Sequence, residues 1–104
     1  MNAITYKTFI APVDEVIAAN RLALNELSLR VVKDDKTNGG QRLTAVSFDR
    51  GFEISFESLT QHMTRIRVAA SESLLIKNKI SASDVIMQTA SHLEVRLCDV
   101  YSFG

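Results

Sequence analysis

Cysteine is nearly missing from this sequence: Cys98 stands alone. A lone thiol excludes an internal disulfide and a closed cysteine-rich zinc site. Net charge is missing too, since twelve basic residues cancel twelve acidic ones. A nucleic-acid grip usually shows a basic excess gathered on one face, so that class of partner is disfavoured. No apolar run approaches the length of about eighteen residues that a membrane-spanning helix needs. Glycine is sparse, and none precedes a helix in a phosphate-cradling loop. The first residues, Met1-Asn2-Ala3-Ile4-Thr5-Tyr6, show no basic segment followed by an apolar core. No export leader is therefore visible. The chain is therefore expected in the cytoplasm unless a leader has been removed from it.

What remains is the composition of one ordinary folded domain, residues 1–104, with 46% hydrophobic and 23% charged residues. Residues 4–10 read as a strand, rich in β-branched and aromatic side chains. The single proline, Pro12, sits where a helix would start, and Asp14 and Glu15 follow in its first turn. Val13, Val16, Ile17, Asn20, Leu24 and Leu27 recur at helical spacing, with Ala19 and Ala23 beside them. The spacing predicts a helix over 12–27.

Residues 28–36 return to a strand pattern. Asn38-Gly39 then signals a hairpin with a type I′ turn, which needs positive φ at both positions. That turn pairs Thr37 with Gly40, Val31 with Val46 and Leu29 with Phe48. A second turn at Asp49-Arg50-Gly51 fits a three-residue loop with Gly51 left-handed. It predicts Phe48 opposite Phe52, Val46 opposite Ile54 and Thr44 opposite Phe56. The run Phe52-Glu53-Ile54-Ser55-Phe56-Glu57 alternates, one face apolar and one wet. A three-residue loop at Thr60-Gln61-His62 leads to a last strand over 63–69. Thr64, Ile66 and Val68 turn inward there, and Met63, Arg65 and Arg67 outward. Glu57 then faces Arg65, and Arg67 faces Ser55, diagonal to Glu53 and Glu57. Such cross-strand pairs contribute roughly 0.2–1 kcal/mol each.

Ser81 and Ser83 offer helix caps, and Ile86, Ala90, Leu93 and Leu97 predict a helix over 83–97. Residues 99–104 read as a short tail. The sum is β-α-β-β-β-β-α: an α+β two-layer sandwich, with a mainly antiparallel five-stranded sheet and two helices on one face. The place of the first strand in that sheet stays open.

Chemistry-bearing residues are few and scattered. His62 falls in a hairpin loop and His92 on the polar side of the last helix, near Gln88 and Arg96. Local spacing gives neither a serine, cysteine or carboxylate partner. Glu53 and Glu57 lie in water beside Arg65 and Arg67, where a general acid–base role has no desolvation to draw on. Asp34 and Asp35, between Lys33 and Lys36, read as a solvated hairpin flank. Cys98 has only Arg96 nearby to lower its pKa. No enzyme, cofactor or metal site is therefore expected.

One stretch resembles a known family. Residues 5–29, TYKTFIAPVDEVIAANRLALNELSL, resemble the opening of a family of small bacterial envelope lipoproteins, a domain of unknown function. Its members carry an aromatic strand and then a helix, matched here by Pro12, Val13, Asp14, Val16, Ala19, Ala23, Leu24, Leu27 and Leu29. A hairpin and two strands follow, matched by Arg50-Gly51-Phe52-Glu53-Ile54 and Thr64-Arg65-Ile66-Arg67-Val68. The resemblance covers residues 5–68. Beyond it, Ala69-Ala70-Ser71-Glu72 stands where members place a glycine-rich turn and a short helix. Their lipid-attachment cysteine near the start has no counterpart here. The resemblance implies an exported, envelope-associated domain without known catalysis, periplasmic or at the outer membrane if a leader has been removed, and it brings no functional residues to carry over.

Two functions follow as expectations. The first is a non-catalytic interaction module of the bacterial cell envelope, with an envelope protein or a second copy as partner. Its candidate partner surface is the apolar run Leu74, Leu75, Ile76 and Ile80, flanked by Lys77 and Lys79. The alternative is a small-ligand or lipid-binding domain, whose apolar cavity between sheet and helices is lined by Phe48, Phe52, Phe56 and Met87.

Overall fold

The computed structural model describes residues 2–47, 51–71 and 82–101. Strand β1 (Asn2–Phe9) leads into helix α1 (Val13–Glu26). Strands β2 (Arg30–Thr37), β3 (Gly40–Val46), β4 (Gly51–Thr60) and β5 (Met63–Ser71) follow, and helix α2 (Ala82–Tyr101) closes the chain. The sheet order is β1-β5-β4-β3-β2, and every neighbouring pair is antiparallel. The fold is the expected α+β sandwich, and the first strand takes the edge beside β5.

Helix α1 begins at Pro12, whose carbonyl accepts from the N–H groups of Glu15 and Val16, both at 3.1 Å. It ends with Ser28 in the left-handed region, φ 61°. There Ser28 N–H donates to Asn25 O and Leu29 N–H to Leu24 O, the paired bonds of a Schellman cap. Leu24 and Leu29 are both buried, which supplies the apolar contact that such caps carry. Helix α2 runs through Tyr101, so residues 99–101 continue the helix that sequence ended at Leu97.

The hairpin at Asn38-Gly39 pairs Thr37 with Gly40 as expected, but its turn is of another type. Gly39 has φ +78° while Asn38 keeps an ordinary negative φ, the pattern of a type II turn. The Gly39 carbonyl accepts from Ser58 N–H on β4 at 2.9 Å, which ties the turn to the sheet. At Val32 a bulge shifts the ladder by one residue, so Val31 meets Ala45 instead of Val46.

The β3–β4 register also departs from expectation. Val46 pairs with Gly51, Ala45 with Phe52, Leu43 with Ile54 and Gln41 with Phe56. Four positions separate Val46 from Gly51, one more than the three-residue loop allows, and Gly51 needs no left-handed backbone. The slip is odd in number, so it exchanges the faces of β3. Leu43 and Ala45 become fully buried, while Thr44 and Val46 turn to the other side. A leucine gains more from the interior than a threonine, which decides the register. The last hairpin closes on Gln61-His62, with Thr60 opposite Met63 and a bulge at Leu59.

One core joins the layers. Phe52, Ile54 and Phe56 of β4 and Ile66 and Val68 of β5 meet Val16, Ala19 and Leu24 of α1, with Val85, Ile86 and Leu93 of α2. The helices pack on each other and cover only this face.

Candidate interaction surface

Alternation in β4 and β5 builds the uncovered face. Between buried Phe52, Ile54 and Phe56 stand Glu53, Ser55 and Glu57; between buried Ile66 and Val68 stand Arg65 and Arg67. The expected pairing holds: Glu57 faces Arg65, and Ser55 faces Arg67. Arg65 Nη2 donates to Glu57 Oε1 at 2.6 Å, and Arg67 Nη1 lies 3.9 Å from Glu53 Oε1. About half of the Arg65 and Glu57 side-chain surface meets solvent, so this pair contributes little stability.

Strand β1 extends the face. Tyr6 pairs across to Arg67 and Ile4 to Ala69, so both side chains share the outer side with the arginines. The Arg65 guanidinium sits 5.9 Å from the Tyr6 ring centroid, within cation–π range. Tyr6 is 57% exposed and Ile4 48%. An apolar rim thus borders a field of paired charges.

The two sheet edges differ. β2 carries Arg30, Lys33, Asp34, Asp35 and Lys36 among its eight residues, and the bulge at Val32 twists it. Charges and bulges are the usual guards of an open edge. Asp34 is also tied down, by an ion pair to Arg21 of α1 and a bond from Gln41. β1, by contrast, has Lys7 as its only charge and pairs with β5 without a bulge.

Among the described residues two polar ties join the helices, and local spacing gives no sign of either pairing. Asn20, fully buried, donates through Nδ2 to Thr89 Oγ1 at 3.1 Å, and Thr89 donates on to Val85 O at 2.8 Å. The Asn20 Oδ1 atom has no partner. At the exposed end of α1, Glu26 Oε1 accepts from Gln88 Nε2 at 2.6 Å and meets His92 Nε2 at 2.8 Å. The bond from Gln88, and after it the one from His92, holds the Glu26 carboxyl below the ordinary carboxylate range. So His92 does have a carboxylate, delivered from 66 residues away. The signals were an asparagine on an apolar stripe and Gln88 with His92 one turn apart. Their partners are set by helix packing alone. His62 sits exposed in its turn, its N–H donating to Thr60 Oγ1. Among the described residues no group of three or more His, Cys, Asp or Glu could hold a metal ion.

The remaining expected sites divide. Leu74, Leu75, Ile76 and Ile80 lie outside the described residues, as does Phe48. Phe52 and Phe56 are packed in the core, but Met87 does not face them: it is 68% exposed on the outer side of α2. Position 87 follows the buried pair Val85 and Ile86, and the helical turn carries it away from the sheet. An open depression lined by Ser28, Arg30, Val46 and Ser47 lies at the β2–β3 end. No described helix is long and apolar enough to cross a membrane. No family model matches the chain, and comparison with curated proteins finds no match.

Proposed function

We propose that this chain is a non-catalytic interaction module of the bacterial cell envelope. The observation that carries the reading is the one-sided sandwich: both helices lie on one face, and among the described residues no element packs on the outer face of the sheet or on the β1 edge. Charged pairs keep that face wet, and at its β1 border the exposed Ile4 and Tyr6 offer apolar surface for a partner to cover. The resemblance over residues 5–68 supports the location we propose, an exported domain held at the envelope. Tyrosine and arginine are among the side chains enriched where partners are anchored, and Tyr6, Arg65 and Arg67 provide them here.

Photocrosslinking in a bacterium that expresses the full gene tests this. A photoreactive side chain at Tyr6 or Ser55 should give adducts that fractionate with the envelope, while one at Met87, on the helix layer, should not. Cytosolic fractionation with no adduct from either sheet position would overturn the reading.

A further inference from the structure

We infer that β1 is the contact strand of a symmetric dimer, in which two copies pair antiparallel through this edge and their sheets join into one of ten strands. The inference deepens the proposed function by naming a second copy as a partner of this surface, and it rests on that reading. β1 is terminal in the sheet, so one side of its backbone has no neighbouring strand among the described residues. β2, the other terminal strand, is guarded by five charges and a bulge; β1 is not.

The occupant follows from the strand's own sequence, NAITYKTF. With the two-fold axis through Thr5, Ile4 of each copy lies directly opposite Tyr6 of the other. Aromatic against β-branched is a favourable cross-strand pair, and this register makes it twice on the outer face. All paired positions then have the same parity, so the free N–H and C=O groups of the two edges face one another. Lys7 selects the register further. An axis at Lys7 would oppose two ammonium groups, whereas the axis at Thr5 sets each lysine opposite position 3. An axis at Tyr6 would spend the aromatic pair on itself and leave both isoleucines opposite Thr8. Charge and apolar pairing thus agree on one register, and a strand addition of this kind needs no new secondary structure. One strand pair buries little surface, which places the dimer in the transient class.

Sedimentation of the full chain over a concentration series tests the inference. The parent should shift from monomer toward dimer as concentration rises. Tyr6→Lys should weaken association at least tenfold, while Val32→Lys, at an equally exposed position on β2, should leave it unchanged. In a Cys98→Ser background, Thr5→Cys should give a disulfide-linked dimer on mild oxidation, because the axis places the two thiols opposite each other. Thr8→Cys should not. The crosslink also protects the test should Tyr6→Lys lose its fold. A monomeric parent at every concentration would overturn the inference, as would a dimer that Val32→Lys abolishes, or crosslinking equal at both cysteines. Any of these leaves the envelope adducts from Tyr6 to stand or fall separately.

Discussion

Ser28 holds a left-handed backbone that side chains with a Cβ adopt at a cost of roughly 1–2 kcal/mol. Its place in the Schellman cap of α1 is one that glycine usually fills where such a cap forms. Ser28→Gly should therefore raise stability by about 0.5–1 kcal/mol, read as a higher urea midpoint at unchanged slope. The adjacent glycines of the first hairpin make opposite demands. Gly39 has positive φ and open space around it, so Gly39→Ala should cost about 1 kcal/mol through backbone strain alone. A Cβ at Gly40 would stand 1.7 Å from the Phe56 carbonyl oxygen, which belongs to the backbone of β4 and cannot swing aside. Gly40→Ala should thus be the costlier change, about 2 kcal/mol or more, with β3 pushed off β4. Equal unfolding midpoints for the two variants would show that the sheet absorbs the extra atom.

At the scale of elements, the helices are bound by two polar ties of different character. Thr89→Val removes the hydroxyl beside Asn20 and leaves the whole buried amide without a partner, a loss of about 1–3 kcal/mol. Asn20→Leu added to Thr89→Val should recover part of it, which a double-mutant cycle measures. Glu26 responds to pH. Its folded-state pKa lies below the ordinary 4.5, so its contribution is complete above that value and fades as pH falls through the lower, folded one. Glu26→Gln should therefore differ most from the parent near neutrality and converge with it in strong acid, in chemical denaturation run from neutrality downward. Neither tie was legible in the sequence, because each joins residues more than sixty positions apart through the angle at which α1 meets α2. The elements themselves were legible: alternation in β4 and β5 fixed Glu57 opposite Arg65, and the stripe of α1 marked its buried face. The β3–β4 register was not. The expected loop is one residue shorter than the observed connection, and only the packing of Leu43 and Ala45 under the helices decides between the two registers.

For the molecule as a whole, the asymmetry of the two faces is what a solution experiment sees most directly. Arg65→Ala should cost less than about 1 kcal/mol in the isolated chain, since its ion pair with Glu57 lies in water. A loss of several kcal/mol would mean that this face is covered in solution. The topology also sets a timetable. Strands β2 to β5 are joined by consecutive hairpins, and each finds its neighbour within a short length of chain. β1 leaves the ribosome before the other four strands, yet Asn2 pairs with Ser71, so its partner is the last of the five to be made. Closing that distance is slow compared with closing a hairpin. The strand made before the others is therefore the last to join the sheet. Until it does, a newborn chain shows the bare flank of β5 to its surroundings, a window in which a chaperone, or the β1 of another nascent chain, competes for the same place.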